Sequence, residues 1–156
     1  MTYSISGLNP DRFAPLFAMS DAELGAQNAR RVTATADRGF PCRISLDDAR
    51  AGEELILLHH LSHDVATPYR SAYAIYVRPG VAAATYRDAV PPMFEGRPLA
   101  LRAFDVAGML QTARLAGPDE ADGAIRDLFA DPAIAYIDAH NAAHGCFAAR
   151  IERDGV

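Results

Sequence analysis

Within seven positions near the end of the chain stand His140, His144 and Cys146, two of its five histidines and one of its two cysteines. Two imidazoles and a thiol so close together suit three kinds of chemistry. Zinc takes nitrogen and sulfur ligands tetrahedrally, and a catalytic zinc keeps three protein ligands plus water; His140, His144 and Cys146 would be the three. Alternatively, Cys146 is a nucleophile with His140 as its base. The third reading is ordinary structure: a strand-end histidine and a turn histidine beside a small thiol. The spacing His-x3-His-x-Cys matches no specific zinc pattern, so the third reading weighs most for His144. In a strand, Tyr136, Asp138 and His140 share one face, and after a turn Cys146, Ala148, Arg150 and Glu152 share another. A turn centred near Ala143 would set His140 directly across from Cys146.

Three further places carry candidate chemistry. In Pro41-Cys42-Arg43 a thiol stands beside a guanidinium in a turn, where a thiolate would be stabilised. Packed against the last strand, Cys42 and Cys146 would be neighbours. His59, His60 and His63 form the second group. Along a regular strand His59 and His63 share a face about 13 Å apart, too far for one metal, and His59 and His60 point opposite ways. One of these histidines therefore faces the core, where hydrogen-bonded structure is the commoner role. Arg102 with Asp105, and the segment Thr67-Pro-Tyr-Arg70, are candidates for lining an anion pocket. There is no Gly-x-Ser-x-Gly elbow and no glycine-rich phosphate loop.

The elements that must position these residues follow from periodicity and turn chemistry. Tyr3–Leu8 alternates as a short strand, and Asn9-Pro10-Asp11 opens a helical stretch. Ser20-Asp-Ala-Glu23 has the spacing of a capping box. Arg31–Thr35 reads as a strand, and Ser45 caps a short helical turn through Ala49. Glu54–Leu61 and Ala72–Val77 are core strands, the second closed by Pro79-Gly80. Pro98–Phe104 and Met109–Leu115 flank a connection of hairpin length. Asp119–Ala130 is the clearest amphipathic helix, with Pro132 just beyond it. Ile134–His140 and Cys146–Glu152 form a final hairpin. Strands joined by short turns pair antiparallel, because parallel strands need long crossovers. The expected fold is α+β: one domain over residues 1–156, a mostly antiparallel twisted sheet, open or partly closed, covered by two or three helices.

Composition narrows the function classes. The chain of 156 residues has a net charge of −5, and all 15 of its basic residues are arginine. With no basic face in view, nucleic-acid binding is disfavoured. Without lysine, neither Schiff-base nor Walker-A chemistry is available. The arginine-for-lysine bias, with abundant alanine, fits a GC-rich bacterial genome. No apolar run approaches the ~20 residues that span a bilayer, and the first ten residues lack the pattern of a signal peptide. Two cysteines are too few for a disulfide scaffold and are expected as thiols in the cytoplasm.

Several segments together resemble a known family. Pro41-Cys42-Arg43, Ala51-Gly52-Glu53 leading into Leu55–Leu58, Pro68-Tyr69, Leu101-Arg102-Ala103-Phe104-Asp105 and Gly145-Cys146-Phe147 are similar to the bacterial DUF1203 proteins. The most specific parts are Pro-Cys-Arg and the closing Cys146-x3-Arg150 strand. The resemblance covers essentially the whole chain but implies no activity, because the family is one of unknown function. Where many members continue Pro-Cys-Arg with His-Cys, this chain has Ile44-Ser45. Where the strand after Pro-Tyr runs Gly-Pro-Ile-Phe, it has Tyr73-Ala-Ile75-Tyr76. The first departure removes a potential ligand pair beside Cys42.

The leading expectation is a binding or accessory domain with a polar pocket of Cys42, Arg43, Arg102, His140 and Cys146. Such a pocket would take a small anionic molecule and needs no cofactor. The alternatives are an enzyme, either zinc-dependent or working through a cysteine nucleophile with His140, and a structural homo-oligomer whose terminal hairpin supplies an edge strand.

Overall fold

The structure is a computed structural model and describes residues 1–155. It is α+β, as expected, but builds two sheets rather than one, and neither closes into a barrel. In chain order the strands are β1 (Tyr3–Ser6), β2 (Arg30–Thr33), β3 (Pro41–Cys42), β4 (Asp47–Asp48), β5 (Glu54–His63), β6 (Ser71–Val77), β7 (Thr85–Arg87), β8 (Leu99–Phe104), β9 (Leu110–Ala116), β10 (Tyr136–Asn141) and β11 (Phe147–Arg153). The helices are α1 (Ala14–Phe17), α2 (Asp21–Ala26) and α3 (Ala121–Phe129). The first sheet runs β7-β1-β11-β10-β8-β9 and is antiparallel throughout; the second runs β2-β5-β6-β3-β4. One pair in the second sheet, β3 with β6, is parallel.

The helix α3 forms where the spacing predicts it. Its residues Ala121, Ala124, Ile125, Leu128 and Phe129 are buried on one side, and they pack on Ile137, Ala139, Ala149, Ile151, Leu99 and Leu101 of the first sheet. Each of the larger side chains stabilises the fold by about 1.5–3 kcal/mol through burial. The Ser20–Glu23 capping box closes reciprocally at the start of α2. On its other face the first sheet meets the second, with Phe147 packed among Ile56, Ile75, Val77, Cys42 and Ile44.

Four expectations are corrected. Ser45–Ala49 is not a helical turn: a turn leads into β4, which pairs with β3. The terminal hairpin is no edge, because β11 and β10 are the two central strands of the first sheet. In β5 the register shifts between Leu61 and His63, so the simple alternation that put His59 and His63 on one face fails. His60 and His63 are both buried against the first sheet, and His59 stays exposed. In the terminal hairpin His140 stands opposite Phe147 rather than Cys146, and a bulge then sets Ala139 against Ala149. The turn is one residue longer than a centre at Ala143 allows: Asn141 N–H donates to Cys146 O at 2.9 Å, and Gly145 adopts φ +79°. A bulge is a tertiary device with no fixed sequence mark, and it reverses the facing of every residue beyond it.

Gly7 ties the two sheets at the start of the segment that carries Cys42 and Arg43. Its N–H donates to Ala84 O, Ala84 N–H to Ile44 O and Leu8 N–H to Arg43 O. A Cβ at Gly7 would run into the Ile44 carbonyl. Gly7→Ala should therefore cost about 1–3 kcal/mol, the usual range for overpacking. Urea unfolding measures it, and an unchanged midpoint would show that the crossing is loose.

Candidate functional site

Arg43 is the centre of the candidate site. It leaves β3 just after Cys42 and is 2% exposed, yet among the described residues its charge faces no carboxylate. Its Nε–H donates to Phe147 O at 2.8 Å, Nη1 to Pro41 O at 2.6 Å and Nη2 to Cys146 Sγ at 3.2 Å. Burial lowers its pKa, and the neighbouring Cys146 and Cys42 oppose that shift. Asn141 Nδ2 also donates to Cys146 Sγ, at 3.2 Å. Two N–H donors therefore converge on one sulfur, which is the acceptor in both contacts. A thiolate fills that role better than a thiol does. Cys146 is partly exposed, whereas Cys42 is fully buried in the core under Phe147.

Arg43 and Cys146 lie at a cleft of about 510 Å³ between β6 and the hairpin turn. Asn141, Ala142, Ala143 and His144 form one wall, and Leu57, Tyr73, Ala74 and Tyr76 another. Pro41, Gly39, Arg97 and Pro98 close it. Among the described residues no Asp or Glu lines it. Arg97 is committed elsewhere, with Nη1 and Nη2 on the two oxygens of Asp48 at 2.9 and 2.6 Å. Burial alone would raise the Asp48 carboxyl, but the Arg97 fork and the Gly39 N–H outweigh it and hold it below its ordinary value.

The structure thus brings together Arg43 and Cys146 of the sequence-derived set and adds His144, an exposed residue on the cleft wall. Cys42, His140 and Arg102 do not line the cleft. His140 is buried between the sheets, its Nδ1–H donating to Gly145 O at 2.9 Å and its ring edge-on to Phe147. Burial lowers its pKa; the Gly145 hydrogen bond opposes this, and the Arg102 charge adds to it. Arg102 stands beside it on β8, in register with Asp138. Among the described residues no group of three or more His, Cys, Asp or Glu is placed to hold a metal ion, so the His140, His144 and Cys146 triad is not assembled. Sequence reasoning overlooked Asn141 and the two tyrosines; Asn141 sits next to His140 and its amide is a ready donor, which was the signal available.

A second polar group lies between the sheets, and its bonds are complete. Arg150 grips Asp138 with Nε at 2.7 Å and Nη2 at 3.0 Å, and Asp138 is fully buried. His63 Nδ1–H donates to Tyr69 O at 2.8 Å, which leaves Nε2 to accept from the Tyr136 hydroxyl at 2.7 Å. Burial raises the Tyr136 pKa above its ordinary value. The guanidinium of Arg150 lies 4.4 Å from the centre of the Tyr136 ring.

This fold and cleft define an α+β protein of two packed sheets with a carboxylate-free, arginine-floored cleft. No helix of the described residues is long and apolar enough to cross a membrane. The family model described as "Protein of unknown function (DUF1203)" matches residues 39–153, and the chain belongs to that family. The match takes in every residue of the cleft. No curated protein and no solved structure matches the chain.

Two outcomes follow from the inter-sheet layer. Arg150→Ala leaves Asp138 buried without its cation and should cost about 3–5 kcal/mol in urea unfolding; a loss below about 1 kcal/mol would show that water replaces the guanidinium. His60 has its pKa lowered from 6.5 to about 4, by burial first and then by Arg12, Arg43 and His59. Between those values the unfolded chain binds the extra proton, so stability falls as pH drops from about 6.5 to about 4, by about 3 kcal/mol in all. His60→Leu should flatten that part of the profile, and an unchanged slope would assign the acid loss to other groups.

Proposed function

We propose that the cleft between β6 and the hairpin turn is a binding site for a small anionic molecule. The observation that carries this reading is Arg43: a guanidinium buried at the cleft, bonded to two carbonyls and a sulfur and to no carboxylate. A buried charge without a counter-charge is costly, and a ligand anion would lower that cost. The fork of an arginine suits carboxylate and phosphate alike. Apolar and aromatic walls supplied by Leu57, Ala74, Tyr73 and Tyr76 would hold the body of the ligand. This is narrower than the pocket expected from sequence, since Cys42, Arg102 and His140 do not line the cleft.

One observation favours a second reading, in which Cys146 reacts with the ligand. Arg43 and Asn141 both donate to its sulfur, an arrangement that would stabilise a thiolate without His140 as base. Both readings meet in one experiment. Iodoacetamide should alkylate Cys146 and spare Cys42 in the folded protein. Among small carboxylates, phosphates and sulfonates at constant ionic strength, at least one class should slow that reaction about tenfold at about ten times its dissociation constant. Alkylation untouched by every anion would overturn the binding reading, and no alkylation of Cys146 at all would overturn the reactive one.

A further inference from the structure

We propose that the ligand of this cleft is the carboxyl-terminal end of an extended peptide, added as a strand to the free edge of β6. The inference rests on the anion-binding reading and names the class of anion.

Edge geometry makes the argument. Arg43 N–H donates to Tyr76 O at 3.0 Å, so Tyr76 directs its main-chain groups toward β3 and away from β5. Main-chain directions alternate along a strand, and β5 pairs Leu57 with Tyr76, His59 with Ala74 and Leu61 with Ala72. Ala74 and Ala72 therefore point their N–H and C=O groups to the same side as Tyr76. Among the described residues nothing takes them there. Among the described residues the only pairing of β3 with β6 is at Tyr76, and two residues before β3 the chain leaves the extended course at Gly39, φ +103°. Ala72 is exposed, Ala74 half-buried, and Ala74 lines the cleft.

An unpaired edge inside an apolar cleft is what strand addition uses: main-chain bonds supply affinity and flanking pockets read alternate side chains. A peptide running parallel to β6 would continue the line of β3 backward. Its last residue would then arrive beside Pro41, with its carboxylate at Arg43. From Ser71 to Ile75 the open edge is about 13 Å long at ~3.3 Å per residue, room for three or four peptide residues. Tyr73 and the turn residues Ala142 and Ala143 would flank them. A compact anion would satisfy Arg43 but leave the donors and acceptors of Ala72 and Ala74 unused. A second copy pairing through β6 would satisfy the edge but bring no carboxylate to Arg43.

The test uses the full chain and two pools of random octapeptides, one with free carboxyl ends and one amidated. Affinity selection should enrich free-acid peptides with a shared pattern in the last few residues and none from the amidated pool. The enriched peptide should slow hydrogen exchange at the Ala72 and Ala74 amides. Ala74→Pro removes the edge donor and leaves the β5 ladder intact, since proline is tolerated where the N–H faces outward. It should weaken the peptide at least about tenfold. Methylating the peptide's own backbone nitrogens, one at a time, should reproduce that loss at alternate positions, whether or not the variant folds. Equal enrichment from the amidated pool, no enrichment at all, or indifference to N-methylation would overturn the proposal. So would a dimer in sedimentation that Ala74→Pro converts to monomer. If anions protect Cys146 and no peptide is selected, only the peptide proposal fails; if neither occurs, the anion reading fails with it.

Discussion

The structure turns on one buried cation. Arg43 joins the end of β3 to the first residue of β11 and to the thiol of the hairpin turn, and so fastens the second sheet to the centre of the first. Removing a guanidinium from water costs several kcal/mol even after relaxation. Here two carbonyl oxygens and a sulfur offset only part of that, since none carries a full formal charge while Cys146 is a thiol. A carboxylate in their place would complete the pair, as Asp48 does for Arg97 close by. The same chain thus contains a closed arginine pair and an open one at the mouth of a single cleft. The difference sets Arg43 apart as a buried guanidinium that meets no carboxylate among the described residues.

The polar layer between the sheets makes the opposite case. Asp138 is held by both arms of Arg150, and His63 uses both ring nitrogens. Buried polar groups satisfied in this way fix packing and demand no ligand. Phe147 marks the boundary between the two regions. Its ring lies between His60 and His140, at 6.2 and 5.9 Å, while its carbonyl accepts from Arg43. Any movement of the hairpin turn is therefore felt at Arg43 through the backbone of residues 146 and 147. His60 meets the Phe147 ring, and His140 meets that ring and also the Gly145 carbonyl of the turn.

Regular elements were readable from sequence because their cause is local. The spacing of Ala121, Ala124, Ile125, Leu128 and Phe129, the Ser20–Glu23 box, and the apolar runs of β5 and β6 each specify their element without the rest of the chain. The strands β3, β4 and β7 are two or three residues long, too short for any periodicity, and exist because neighbouring segments offer them partners. The site was readable as a set of residues and misread as a geometry. Arg43 and Cys146 do meet, but the bulge and the longer turn put Phe147 opposite His140. Asn141 then takes the position beside the sulfur. Facing in a hairpin depends on counting residues through the turn, and one extra residue changes every partner.

The two residues that follow Arg43 add no chemistry to the cleft. Ile44 is buried in the core under Phe147 and lends its carbonyl to Ala84, and the Ser45 hydroxyl accepts from Arg78 Nη2 at 3.0 Å. Both residues serve packing and ion pairing, so neither offers a ligand to the cleft. With Cys42 sealed in the core, the accessible thiol near Arg43 is Cys146 alone. A sulfur anion at Cys146 and a ligand anion at the cleft would then compete for the same guanidinium. Were an anion bound there, the two would be linked with negative sign: an anion at Arg43 would disfavour the thiolate, and a thiolate would weaken the anion.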